Sequence, residues 1–147
     1  MSSMPIEVLL VEDNPGDIEL TREALSAGKL INNIHVVEDG EEALDFLYQE
    51  KQYVNVSRPD LILLDLNLPK LNGREVLAKI KSNPELSSIP VVILSSSEDA
   101  DDIEKAYSLS ANSFVTKPVR VNDFVRVAQT LEDFWIGIVK LPSLKNS

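Results

Sequence analysis

Six side chains in this chain could do chemistry together. Glu12 and Asp13 follow a short apolar run, Asp65 closes the aliphatic run LILLD, Ser95 and Ser96 close PVVILSS, and Lys117 stands near the end of SFVTKP. Three carboxylates a few ångströms apart repel by roughly 4 kcal/mol per pair at an effective dielectric near 20. They raise one another's pKa values unless a cation sits among them. A hard, oxygen-seeking ion such as Mg²⁺ relieves this with one or two direct carboxylates plus waters, and Lys117 adds a fixed positive charge. A carboxylate in such a setting can attack a phosphoryl group and become an aspartyl phosphate. That transfer needs positioning and charge neutralisation more than covalent help. Asp65 is the best nucleophile because the aliphatic run places it mid-sheet, which leaves Asp13 and, more weakly, Glu12 as metal holders. Mg²⁺, Lys117 and the Ser95 hydroxyl would each take one phosphoryl oxygen, with Ser96 beside them.

Singly, each residue has an ordinary explanation. Glu12-Asp13 suits a helix N-terminus, Asp65 a turn, the serines a loop entry, and Lys117 a charged strand end. Their joint placement is what counts. Short apolar runs cover Ile6 to Glu12, Asn33 to Asp39, Leu61 to Asp65, Pro90 to Ser96 and Ser113 to Pro118. Between them lie helical segments. Asn14-Pro15 supplies an N-cap and a proline at the first helical position, opening a helix through about Ala27. Gly40 leads into the second helix, and GREVLAKIKSN (Gly73 to Asn83) has Val76, Leu77 and Ile80 at helical spacing before Asn83-Pro84 stops it. EDADDIEKAYSLSA is a polar helix with a thin apolar stripe of Ile103, Ala106 and Tyr107, and the last helix runs from about Asn122 to Val139. Five strands alternating with five helices predict a doubly wound α/β domain, a parallel sheet with helices on both faces. Ligands of such sheets bind beyond the carboxyl ends of the strands, where these chemical residues fall. The connection Gln49 to Pro59 reads as loose, and somewhat longer than usual.

The 147 residues fit one domain, 1–147, with a core over about 5–132 and a helix extension and tail over 133–147. On that reading no separate effector domain is expected. A chain of this size buries about 68–70% of its unfolded surface and needs no staples. Cysteine is absent, which removes disulfides, thiolate metal sites and cysteine nucleophiles together. The apolar runs are strand-sized, far short of a membrane span. The N-terminal MSSMPIE lacks the basic and apolar regions of a signal peptide, so a cytoplasmic location is expected. The formal net charge of -10 repels phosphate backbones and argues against DNA as a partner.

With those residues in view, the sequence resembles the receiver domain of two-component response regulators. The resemblance rests on VEDNPGD (Val11 to Asp17), DLNLPKLNG (Asp65 to Gly73), PVVILSS (Pro90 to Ser96) and FVTKP (Phe114 to Pro118), and it runs the length of the chain. It implies a (βα)5 flavodoxin-like fold with strand order 2-1-3-4-5. It further implies that Asp65 accepts phosphate from a histidine kinase. Glu12, Asp13, Asp65 and the backbone carbonyl of Asn67 would hold Mg²⁺, and Lys117 would pair with Asp65 or its phosphate. The Lys117-Pro118 bond is cis in the family. Ser95 would move onto the phosphate while Phe114 swings inward behind it. This sequence has Glu12 where many members carry Asp, Ser95 for the more frequent Thr, and Phe114 for Tyr. Phosphorylation is still expected with these residues, but the last two bear on the size of the switch.

The Gln49–Pro59 connection, the DLNLPK and GREVLAKIK wording and the tail DFWIGIVKLP (Asp133 to Pro142) are similar to the small response regulators paired with cyanobacterial phytochromes. Those resemble one another in dimerising through the last helix. The last helix here carries an apolar face nearly half its circumference wide, broader than a surface helix needs. Phe134, Trp135 and Ile138 lie at its far end, where an exposed patch would mark a homodimer interface. Phosphorylation would bias the face of the fourth helix, fifth strand and fifth helix between two arrangements. Two rival classes fit less well. A haloacid-dehalogenase-like phosphatase needs a second Asp two residues after the nucleophile, where Asn67 stands. A flavodoxin-type binding module needs a phosphate loop after the first strand, where EDNPGD is acidic.

Overall fold

The computed structural model describes residues 6–26, 32–66, 68, 70–95 and 113–117, with the side chains of residues 32, 113, 114 and 116 aside. Five strands are described: β1 Ile6–Val11, β2 Asn32–Val37, β3 Leu61–Asp65, β4 Val91–Ser95 and β5 Ser113–Thr116. Three helices accompany them: α1 Pro15–Ser26, α2 Gly40–Leu47 and α3 Gly73–Ser82. The strands form one parallel sheet in the order β2-β1-β3-β4-β5. The expected fourth and fifth helices, with the Phe134, Trp135 and Ile138 patch, lie outside the described residues.

Both faces of the sheet are covered, and strand alternation sorts the side chains between them. Ile6, Val8, Leu10, Leu61, Leu63, Val92, Leu94 and Val115 pack with Ala24 and Leu25 of α1. Leu9, Val11, Ile62, Leu64, Val91 and Ile93 pack on the other side with Phe46 and Leu47 of α2 and Val76, Leu77 and Ile80 of α3. Strands β3 and β4 are buried at every position. Hence they read as continuous aliphatic runs rather than alternating ones.

Local chemistry starts each helix where the sequence places it. Asn14 Oδ1 accepts from the Asp17 amide at 2.9 Å and caps α1. Asp39 Oδ1 accepts from the Glu42 amide at 2.7 Å, and Glu42 reaches back to the Glu38 amide at 3.0 Å. Asn72 caps α3 through the Glu75 amide at 3.0 Å. Each bond satisfies donors that a helix start otherwise leaves open.

The stretch expected to be loose is pinned. A short 3-10 turn, Lys51–Tyr53, sits in it. The Tyr53 ring lies 5.1 Å from that of Phe46, its hydroxyl bonds Glu42, and Gln49 Nε2 donates to the Val56 carbonyl at 2.7 Å. Arg58 donates to the Leu47 carbonyl at 3.1 Å and pairs with Glu85 at 3.0 Å. Apart from the Gln49–Val56 bond, these partners come from outside the stretch, so the local pattern could not show them.

At Gly73, α3 meets the end of β3 too closely for a side chain. Its amide bonds the Leu66 carbonyl at 3.0 Å, and a Cβ there would overlap the Asp65 carbonyl oxygen and the Leu66 Cα. Because both obstacles are backbone, relief requires moving Asp65 itself. Gly73→Ala is expected to cost about 2–3 kcal/mol in the way overpacked cores do. A thermal midpoint unchanged from the parent would contradict this packing.

Candidate functional site

Register aligns the strand ends that matter. Val11 pairs with Leu64, and Asp65 with Leu94. Glu12 therefore stands level with Asp65, one residue past the paired ends. The Glu12 amide bonds the Val37 carbonyl at 3.0 Å, the Leu66 amide the Leu94 carbonyl at 3.2 Å, and the Lys117 amide the Ser95 carbonyl at 2.7 Å. The backbone just past β1, β3 and β5 is thus tied to a neighbouring strand, and the side chains there have little freedom to wander.

Parity brings three of them to one side. Glu12, Asp65 and Lys117 continue the alternation of Leu10, Leu63 and Val115, residues that pack under α1. The contacts agree. Lys117 Nζ lies 2.8 Å from Glu12 Oε1, 3.2 Å from Asp65 Oδ2 and 3.1 Å from Asp17 Oδ2. One ammonium thus bridges β1, β3 and the first turn of α1. Glu12 is fully buried, and its Oε2 accepts from the amides of Asp13 (3.1 Å) and Asn14 (3.2 Å). Asp65 is 2% exposed, while Asp13 is open to solvent.

Burial pushes the Glu12 carboxyl up; its bond from Lys117 pulls it back, and the Asp65 charge raises it again. Burial alone would push the Lys117 ammonium down. The Glu12 hydrogen bond and the charges of Asp65 and Glu12 more than offset that, so Lys117 stays protonated.

Glu12, Asp13 and Asp65 each offer one carboxylate oxygen, and the three oxygens lie within 4.8 Å of one another. An all-oxygen donor set that is part buried and part open suits a hard divalent ion such as Mg²⁺ or Mn²⁺. This has a pH consequence. The folded state holds the Glu12 proton more tightly than the unfolded chain does. That contribution to stability is present below the ordinary glutamate range and is lost as pH rises through the raised value. A bound cation offsets the loss on the high-pH side. Magnesium at roughly 10- to 100-fold above its Kd should stabilise by about 1.4–2.7 kcal/mol near neutral pH. The gain should fade as the carboxylates protonate. Thermal midpoints with and without magnesium across pH test this, and a magnesium shift equal at pH 4 and pH 7.5 would contradict it.

Ser95, wholly buried, ends β4 one residue past the partner of Asp65. The backbone of Phe114 pairs with Ile93, but its side chain lies outside the described residues. Asn67, Ser96 and Pro118 also lie outside them. Sequence reasoning gave Asp17 no role and named it only as the end of VEDNPGD. The available signal was the parity of β1 and β3, which turns Glu12 and Asp65 toward α1 and makes any acid in its first turn a neighbour.

Comparisons with known proteins agree with this geometry. The family model "Response regulator receiver domain" matches residues 8–129. The response regulator Rcp1 of Synechocystis sp. is 44% identical over 142 residues, covering 97% of this chain and 97% of that protein. The crystal structure of the phosphorylated cyanobacterial phytochrome response regulator RcpA superposes with a TM-score of 0.78 at 48% identity, covering 90% of this chain and 95% of that one. The Mn²⁺-bound form of Rcp1 gives a TM-score of 0.76 at 44% identity, covering 92% and 97%.

Proposed function

The chain belongs to the response regulator receiver domain family, and from that premise we propose that it carries a signal as a phosphoryl group on Asp65. The donor is the phosphohistidine of a sensor histidine kinase, in keeping with the phytochrome response regulators it is similar to. The observation that carries this is the Lys117 ammonium 3.2 Å from Asp65 Oδ2, with Glu12 and Asp13 beside the same carboxylate.

Glu12, Asp13 and Asp65, with the Asn67 carbonyl, would hold Mg²⁺, which when bound neutralises charge on the acids and on the incoming phosphoryl group. The chain's own residues do the rest. An Asp65 oxygen attacks phosphorus, the nitrogen–phosphorus bond breaks, and the imidazole leaves with its electron pair. Lys117 donates to one phosphoryl oxygen and Ser95 to another, with Ser96 alongside, so that charge developing in the transfer meets fixed donors. The reaction is self-catalysed on Asp65, as is the later loss of phosphate to water, and the protein is a signalling phosphoacceptor rather than an enzyme with turnover.

The new charge draws Ser95 and Lys117 inward, and Phe114 turns in behind them. The face around β5 and the helices flanking it then settles into a second arrangement. The last helix, through Phe134, Trp135 and Ile138, joins two copies. Sedimentation with and without beryllofluoride reads that dimer and its dependence on the site, and monomers in both conditions would remove it. The protein acts in the cytoplasm without DNA. Among the described residues, no helix is long and apolar enough to cross a membrane.

Phosphotransfer from a labelled, autophosphorylated histidine kinase of the phytochrome type tests the whole. Label should pass to this chain with magnesium present and stay on the kinase in a chelator. Label remaining on each kinase tried with magnesium, while acetyl phosphate also fails to modify the chain, would overturn the proposal.

A further inference from the structure

Three acids surround the Lys117 ammonium. Nζ donates to Glu12 Oε1 at 2.8 Å and Asp17 Oδ2 at 3.1 Å, and it lies 3.2 Å from Asp65 Oδ2. An ammonium has three donors and no more. A phosphoryl group on Asp65 brings negative charge and three further acceptor oxygens. The donor facing Asp65 can pass to its phosphoryl group, but to donate to a second oxygen Lys117 must loosen its bond to Glu12 or Asp17.

The two hydrogen-bonded acids differ in what release costs. Glu12 is fully buried, so water cannot take the place of Lys117 there. Asp17 has a side chain 26% exposed, and water can replace the lysine there. Nor can the Asp17 backbone follow the ammonium. Its amide is held by Asn14 Oδ1 at 2.9 Å, and its carbonyl accepts from the Thr21 hydroxyl at 2.8 Å. It is an anion whose backbone is anchored on the α1 side of a movable cation.

We infer that Asp17 is a positioning residue acting through Lys117: it anchors the ammonium in the unphosphorylated protein and competes with the phosphoryl group for the same N–H. This rests on Asp65 being the phosphoacceptor. Its consequence has a distinctive sign. Losing Lys117 weakens the hold on a phosphoryl-like anion, whereas losing the charge of Asp17 strengthens it. A residue that only kept the pocket in shape would weaken the hold when lost.

Beryllofluoride serves as the probe, titrated at saturating magnesium and read by fluorine NMR, with thermal midpoints in parallel. Asp17→Asn should tighten its apparent Kd by about fivefold, the scale of a partly exposed charge pair. Asp17→Glu, which restores the charge, should return the Kd toward the parent value. Asp17→Asn combined with Lys117→Met should show less tightening relative to Lys117→Met alone. An unchanged or weaker Kd in folded Asp17→Asn overturns the inference; if that variant does not fold, Asp17→Ser is read in the same way. A parent protein that takes no beryllofluoride at all overturns the phosphoacceptor proposal instead.

Discussion

Asp65→Asn is expected to reduce acid-labile phosphate incorporation from acetyl phosphate by about three orders of magnitude or more, because a neutral amide oxygen is no nucleophile for phosphorus. The loss should come without unfolding. Asp65 is one of three acids crowded around one ammonium, and its charge is among the causes that raise Glu12. Removing it leaves Lys117 bonded to Glu12 and Asp17 and relieves repulsion. The thermal midpoint of the metal-free variant should therefore match or exceed that of the parent. Incorporation persisting above a tenth of the parent level would place the acceptor elsewhere.

Lys117→Met removes the cation from beneath a buried carboxylate pair. Glu12 and Asp65 are 0% and 2% exposed, and stripping the partner from such charges costs about 3–5 kcal/mol. The cost should depend on pH in a set direction. Without the ammonium the Glu12 carboxyl rises further above its unfolded value, so the folded state binds that proton more tightly. Stability is then retained at low pH and lost as pH rises through that raised value. At pH 7.5 without metal the variant should show the full deficit, and near pH 5 much less. Saturating magnesium should recover part of it by taking over charge compensation. Phosphorylation should fall by about 100-fold even in folded, magnesium-loaded protein, as when one preorganised donor is removed from a transfer site. Chemical denaturation at the two pH values, with and without magnesium, reads the first effect. A deficit independent of pH and metal would mean that Lys117 stabilises by packing its stem rather than by its charge.

What the sequence disclosed follows the physics of each element. LILLD declared a fully buried strand because a parallel sheet covered on both faces selects uninterrupted aliphatic residues. Asn14-Pro15 marked the start of α1 because cap and first-turn preferences act within a few residues. Once the strands were parallel, their ends had to share an edge, which brought Glu12, Asp13, Asp65 and Lys117 together. What stayed hidden depends on contacts between elements. Asp17 meets Lys117 across 100 residues of chain, so composition and spacing could not announce it. The connection after α2 looked loose because its order comes from Tyr53 on Phe46 and Glu42 and from Arg58 on Glu85. It also uses positive φ at Gln49 and Lys51, a conformation that residue type did not signal.

The most direct measurement is chemical. The protein is phosphorylated with acetyl phosphate and magnesium, reduced with borohydride so that an acyl phosphate becomes an alcohol, and mapped by mass spectrometry. The account predicts conversion of residue 65 alone to homoserine, and none when magnesium is chelated. Conversion at Glu12, Asp13 or Asp17, or phosphate found on a hydroxyl or on His35 instead, would contradict it.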